Sequence, residues 1–126
     1  MRFEHFGVNV PDARAMAEWY VKHCGMRVLR AMTVSPFTCF LADERGMSAM
    51  EIYTNLLGPI PDYPMQHPLQ FHFAFAVDDP DAIKDRLVAA GASVVEEIWL
   101  DDGSHLFMLR DPWGVPLQLC KRTKPF

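Results

Sequence analysis

Two histidines and two side chains with acceptor oxygens recur along this chain at one fixed spacing. His5 and Glu51 are 46 positions apart, and the same 46 positions separate His72 from Gln118. The second pair follows the first by 67 positions. Two imidazoles, one carboxylate and one amide oxygen suit a divalent ion, because imidazole binds Zn, Ni, Fe or Mn well and the carboxylate offsets charge. The spacing therefore predicts one metal site that uses all four side chains.

The alternative for each residue alone is an ordinary polar side chain on a sheet, satisfied by water or by a neighbour. Strand alternation favours the shared site, because successive side chains of a strand point to opposite faces. Phe71 and Phe73 flank His72, and similar apolar neighbours flank Glu51 and Gln118. The apolar faces need helices to cover them. We therefore expect all four polar side chains to face away from the helices.

The elements that must position these residues are also repeated. Each half begins with a strand that holds a histidine, continues with a helix that opens near a proline and stops at a glycine, and ends with three strands. Proline at the start of a helix and glycine past its end are the usual helix signals. The sequence predicts an α+β fold of two βαβββ modules, 1–57 and 69–121, joined by a proline-rich connector, 58–68. The predicted strands are 2–10, 26–33, 36–42, 48–54, 69–77, 93–99, 104–110 and 115–121, and the predicted helices are 11–24 and 80–90.

Composition limits the classes of function. With 126 residues, 50% of them hydrophobic, the chain is expected to form a single packed domain. A net charge of −4 and the lack of a basic run argue against nucleic acid as a partner. The apolar runs are short, and no basic segment precedes an apolar one at the start, so we expect neither membrane insertion nor export. A cytoplasmic protein with reduced cysteines is the resulting expectation.

Three stretches resemble the vicinal oxygen chelate superfamily, which includes glyoxalase I, extradiol dioxygenases and bleomycin-resistance proteins. They are 19–28 (WYVKHCGMRV), 49–55 (AMEIYTN) and 111–119 (DPWGVPLQL). The resemblance covers about residues 2–121. It implies that the eight strands curl into an open, barrel-like sheet around a metal ion. It also implies that the ligands come from the first and last strand of each module, where His5, Glu51, His72 and Gln118 stand.

By pattern the chain looks most like glyoxalase I, which implies a metal-dependent lyase or isomerase acting on a small molecule with adjacent oxygens. Zn or Ni is then the favoured ion, with Fe or Mn as alternatives. Gln118 replaces the family's final-strand glutamate, and an amide cannot accept a proton at neutral pH. Glu51 is therefore the expected catalytic residue. Asn55 matches a family asparagine that contacts substrate, whereas Asn9 and Pro68 stand where glyoxalase I has arginines.

Two other functions stay open. An extradiol-type iron dioxygenase needs two histidines and one carboxylate, although such enzymes usually carry the carboxylate in the final strand. A bleomycin-resistance-like protein would bind a small molecule or drug without metal, and would not need the two histidines with Glu51. The resemblance also implies a homodimer, because many relatives build the metal site across two chains. His105 either lines the same pocket or lies at a strand edge.

Overall fold

The computed structural model describes residues 1–46 and 49–126. It contains eight strands, two α-helices and one short 3₁₀ helix. In chain order these are β1 His5–Asn9, α1 Ala13–Cys24, β2 Arg27–Ala31, β3 Cys39–Ala42, β4 Ala49–Tyr53, the 3₁₀ helix Tyr63–Met65, β5 Phe73–Ala76, α2 Pro80–Ala89, β6 Ser93–Trp99, β7 His105–Arg110 and β8 Pro116–Lys121. The first residue of the predicted strand 48–54 lies outside the described residues.

The chain forms two compact units, Met1–Pro61 and Asp62–Phe126. The first contains a four-stranded sheet in the order β1-β4-β3-β2, and the second a sheet in the matching order β5-β8-β7-β6. In each sheet the first and last strands of the module pair in parallel, and the other neighbours are antiparallel. The predicted α+β fold of two βαβββ modules is confirmed. Its described strands pair as two open four-stranded sheets and are not closed into a barrel.

Both helices begin at an aspartate that caps the first turn. Asp12 accepts a hydrogen bond from the Ala15 amide, and Asp79 accepts one from the Ala82 amide, each at 3.0 Å. Such caps satisfy amides that have no partner within the helix. Pro80 is the first residue of α2, as predicted. The predicted start of α1 at residue 11 is wrong by two positions, because the cap is Asp12 and the preceding proline lies outside the helix.

The helix-covered face of each sheet carries the core. Met50 and Ile52 in β4 are buried, as are Leu117 and Leu119 in β8. The polar residue between each pair is only half-buried. This alternation places the polar positions on the sheet face opposite the apolar one. None of the described helices is long and apolar enough to cross a membrane.

The largest difference from the predicted elements lies before β5. The predicted strand 69–77 begins only at Phe73, so His72 is the residue just before the strand. The chain from His67 to Gln70 forms a turn instead. The Gln70 amide donates to the His67 carbonyl at 2.9 Å, and the Gln70 side chain accepts from the His67 amide at 3.1 Å. These bonds, together with a proline that has no amide to donate, stop the strand ladder there.

Candidate metal centre

In the first unit, the side chains of His5 and Glu51 lie side by side. Gly7 of β1 pairs with Glu51 of β4, and His5 lies two residues before Gly7 on the same face. The Nε2 atom of His5 is 3.4 Å from Oε2 of Glu51. The two side chains are 36% and 24% exposed, so an ion or a small molecule can reach them from solvent.

Gly7 makes room for this pair. A Cβ atom at that position would lie 3.0 Å from Oε2 of Glu51 and 3.1 Å from the ring of Tyr53. A larger residue there would require the carboxylate or the Tyr53 ring to shift by a few tenths of an ångström. The equivalent residue of the second module, 67 positions later, is Ala74, which pairs with Gln118. A small residue therefore pairs with Glu51 in the first module and with Gln118 in the second. The repeated small residue is visible in the sequence, but the predicted site did not include it.

The other ring nitrogen of His5, Nδ1, is also engaged by a carboxylate. Nδ1 contacts the carboxylate of Glu4, the preceding residue. This hydrogen bond, opposed by desolvation and aided by the charges of Glu4 and Glu51, raises the pKa of His5 above its usual value. A carboxylate that accepts the Nδ1 proton leaves the Nε2 lone pair free in the neutral ring. A carboxylate or carbonyl behind a metal-binding histidine is a common feature of metal sites, and it fixes which nitrogen binds.

His72 has a similar partner of a different kind. Its Nδ1 lies 3.0 Å from the carbonyl oxygen of Pro68. Because a carbonyl only accepts, this bond requires the proton on Nδ1 and places the lone pair on Nε2. His72 and His5 thus have the same nitrogen engaged. The sequence did not predict that Glu4 or the Pro68 carbonyl would contact these histidines.

Gln118 occupies the position equivalent to Glu51. It pairs with Ala74, two residues after His72, just as Glu51 pairs with the residue two after His5. Its Oε1 accepts a hydrogen bond from Sγ of Cys120 at 3.1 Å. Burial raises the pKa of the Cys120 thiol, which keeps the donor proton in place. An amide oxygen has two lone pairs, so one remains after this weak bond.

The donor set fits a divalent ion. Two ligands at ~2.1 Å from a tetrahedral zinc ion are ~3.4 Å apart. The separation between His5 Nε2 and Glu51 Oε2 is the same 3.4 Å. Within the first unit, His5 and Glu51 could bind one ion with little movement. Across residues 1–46 and 49–126, no three His, Cys, Asp or Glu side chains gather as a preformed metal cluster.

Asn55, the expected substrate contact, has a local structural role. Its side chain accepts the Leu57 amide at 3.0 Å and so shapes the turn after β4. The Asn55 backbone is in turn held by Asn9, whose side chain accepts from the Asn55 amide and donates to its carbonyl, both at 2.8 Å. Asn9 therefore fixes the backbone at the end of β4, where the resemblance would place an arginine.

His105 belongs to the other face of the second sheet. It is 4% exposed, and its Nε2 lies 2.9 Å from the Glu97 carboxylate. Its ring stacks on Trp99 with centroids 3.9 Å apart, and Nδ1 is 3.8 Å from Asp81 of α2. A residue beneath the helix does not share the face of Gln118. The alternative in which His105 lines the same pocket has no support in this geometry.

Comparison with known proteins agrees with this architecture. The family model described as the Glyoxalase/Bleomycin resistance protein/Dioxygenase superfamily matches residues 2–119. No curated protein matches the chain.

Solved structures with the same fold span nearly the whole chain. SMU.1112c is 28% identical with a TM-score of 0.74, over 96% of this chain and 98% of its own. A glyoxalase family protein from Bacillus cereus is 18% identical with a TM-score of 0.79, over 96% and 93%. TnmS3, an antibiotic binding protein from Streptomyces sp. CB03234, is 20% identical with a TM-score of 0.74, over 98% and 99%.

Proposed function

The chain belongs to the Glyoxalase/Bleomycin resistance protein/Dioxygenase superfamily, and from this membership and the site geometry we propose that it is a metal-dependent lyase or isomerase of glyoxalase type. Its substrate is a small molecule with two adjacent oxygens. The proposed ligands of one divalent ion, Zn or Ni in first place, are His5, Glu51, His72 and Gln118. The proposed site lies within one chain or across the two chains of a homodimer.

One observation carries the proposal. His5 Nε2 and Glu51 Oε2 are 3.4 Å apart on one sheet face, and each proposed histidine ligand has its Nδ1 engaged by an oxygen. An isolated surface histidine needs no such support. A histidine that must offer Nε2 to an ion does, because the second bond fixes both the tautomer and the ring orientation.

When bound, the ion would polarise the two substrate oxygens and stabilise negative charge that develops on them. Glu51 supplies the proton transfer. Its carboxylate takes a proton from the carbon that carries one oxygen and returns it to the neighbouring carbon, so the substrate is isomerised with no net change of atoms. Gln118 cannot share this role, since its amide has no basic site at neutral pH.

The reaction can be tested with a hemithioacetal of glutathione and with a panel of small α-hydroxy carbonyl compounds. We expect the Zn- or Ni-loaded protein to convert at least one of them, and to exchange the transferred hydrogen with deuterated water. E51Q should lose this exchange by about a hundredfold or more, the usual contribution of a general base. E44Q, a charge change on an exposed loop residue, is the control. If loaded wild type and E51Q behave alike on every compound, the catalytic role of Glu51 is wrong.

A second candidate function is metal-free binding of a small molecule. TnmS3, described as an antibiotic binding protein, has this fold. Gln118 favours this alternative, because an amide there leaves the site with one carboxylate and because its Oε1 already accepts a hydrogen bond from Cys120. A metal-free binder would bind its ligand equally well after treatment with a chelator, whereas the proposed enzyme would lose both ion and activity. A dioxygenase would be recognised by oxygen consumption with Fe²⁺.

A further inference from the structure

The backbone carbonyl that holds His72 belongs to the connector, and one arginine binds that connector to the second sheet. Nη1 of Arg110 donates to the carbonyls of Tyr63 at 2.6 Å and Gly114 at 2.9 Å. Nη2 donates to the carbonyl of Gln66 at 2.6 Å. Three carbonyls therefore converge on one half-buried guanidinium. Hydrogen bonds to a charged donor are among the stronger ones in proteins.

The stretch 63–68, here called the strap, is closely packed at both ends. Gly114 leaves space for Pro64, because a Cβ atom there would lie 2.5 Å from Cγ of Pro64. Pro68, at the other end, is buried. The Leu69 amide donates to Nδ1 of His67 at 3.2 Å, which helps close the turn that follows. The Pro68 carbonyl thus belongs to a segment whose backbone is restrained by Arg110, by Gly114 and by the turn at His67.

We propose that Arg110 is a positioning residue for the metal centre, acting through the strap and the Pro68 carbonyl to keep the His72 proton on Nδ1 and its Nε2 free to bind the ion. This inference rests on the proposed function, since it assigns His72 a ligand role. Arg110 touches neither the ion nor the substrate. Its effect is transmitted by the hydrogen bonds to the Tyr63 and Gln66 carbonyls and by the covalent chain between Gln66 and Pro68.

The two modules engage the Nδ1 atom of their histidine in different ways. His5 has its Nδ1 engaged by the side chain of its own neighbour, Glu4. His72 has no acidic neighbour and relies on a backbone oxygen four residues earlier. A backbone oxygen stays in place only if the backbone does. The strap and Arg110 therefore supply in the second module what a carboxylate supplies in the first.

The first test uses the metal-free wild-type protein, labelled with ¹⁵N, at a pH where the rings are neutral. Long-range ¹H–¹⁵N correlation spectra distinguish the two tautomers of each histidine. We expect His72 to carry its proton on Nδ1. A proton mainly on Nε2 would overturn the inference without the need for any variant.

The second test compares R110M with R122M, which removes an arginine that stacks on Phe126 near the end of the chain. R110M should shift His72 toward the Nε2–H tautomer and weaken Zn²⁺ binding by about tenfold, as loss of an outer partner of a ligand does. R122M should change neither. An R110M protein with the wild-type tautomer and Zn²⁺ affinity would overturn the inference.

The two proposals can fail separately. If wild type binds no Zn²⁺, the proposed function is wrong, while the tautomer of His72 in wild type and R110M still decides whether Arg110 positions the ring. If Zn²⁺ binds but R110M leaves both measurements unchanged, only the role of Arg110 is wrong. R110K serves as the conservative variant: one ammonium cannot reproduce the planar fork, so we expect it to recover only part of the Zn²⁺ affinity.

Discussion

The two modules differ chemically in the side chain that their last strand places beside the histidine: Glu51 in the first and Gln118 in the second. Glu51 lies beside the His5 imidazole with an oxygen 3.4 Å from Nε2, whereas Gln118 accepts a hydrogen bond from Cys120. The carboxylate brings charge and a base, and the amide brings neither. We therefore propose proton transfer for Glu51 and supporting coordination alone for Gln118.

Changing Gln118 to a carboxylate tests that assignment. Q118E should raise the affinity for Zn²⁺ by about tenfold, because a second negative charge attracts the ion. Isothermal titration of the metal-free protein measures the effect. K124Q, the same change in net charge at an exposed residue near the end of the chain, is the control. Equal Zn²⁺ affinity in Q118E and wild type would show that Gln118 is not a ligand.

Gly7 provides a second residue-scale prediction. In G7A the new Cβ would lie 3.0 Å from Oε2 of Glu51, so the carboxylate must shift by a few tenths of an ångström. Because a carboxylate at the end of a flexible side chain moves easily, we expect the free energy of unfolding to change little. Zn²⁺ affinity should fall, since a ligand is displaced. G58A, where a Cβ meets nothing within 4 Å, is the control, and an unchanged affinity in G7A would refute the geometry of this pair.

The four repeated polar residues could be found from the sequence because their spacing is a property of the chain. Gly7 and Ala74 could have been found in the same way, since they are also 67 positions apart. The partner of His72 could not, because it is a backbone carbonyl and every residue has one. Only the three-dimensional path of the strap shows that the oxygen belongs to Pro68.

At the scale of elements, the boundaries are set by local polar contacts. Asp102, in the turn between β6 and β7, accepts a hydrogen bond from the Ser104 amide at 2.8 Å. That bond lowers the pKa of Asp102 most, and a hydrogen bond with the Ser104 side chain and the positive charge of Arg122 lower it further. Gly103 adopts a φ of 84°, a conformation that suits glycine in such a turn. The turn thus depends on an ionised Asp102.

This turn predicts a pH dependence of stability. Because the pKa of Asp102 is lower in the folded chain than in the unfolded chain, its stabilising contribution is present above the unfolded pKa and is lost as the pH falls through the folded pKa. Thermal unfolding of D102N should therefore vary less with pH below about 4, the ordinary pKa of an aspartate side chain, than that of wild type. Asp101→Asn is the control. Identical acid profiles for wild type and D102N would contradict this reading.

Strand and helix identities followed from alternation and from the proline and glycine positions, but the ends did not. The α1 start moved to Ala13 because an aspartate caps the helix after Pro11. The β5 start moved to Phe73 because side chains of His67 and Gln70 close a turn. Such contacts depend on how the side chains fold back on the backbone, which alternation alone does not describe.

At the scale of the whole molecule, the chain repeats one βαβββ unit with the same strand order and the same register at its polar positions. The count of 46 and 67 positions was enough to predict this duplication. These spacings did not predict that the described strands pair as two open four-stranded sheets. Each module therefore places one histidine and one acceptor side chain at equivalent positions of its own sheet.

The homodimer is a prediction at this scale as well. Apolar side chains are exposed on the strands β2 and β6, including Val28, Leu29, Val94 and Trp99. Apolar surface of this kind favours association with another protein surface. We expect light scattering at micromolar concentration to give the mass of two chains. A stable monomer that still binds the ion would contradict the dimer and place the site within one chain.

The proposed metal centre is tested most directly by the metal content of five proteins, each purified without chelator and then incubated with Zn²⁺ or Ni²⁺. Wild type should retain about one ion per chain, as expected for a single site with four protein ligands. H5A, H72A and the double variant H5A/H72A should lose it, while the control H23A, which removes an imidazole outside the proposed site and the strap, should keep it. Wild type without a stoichiometric ion, or equal retention by H72A and H23A, would contradict the proposed metal centre.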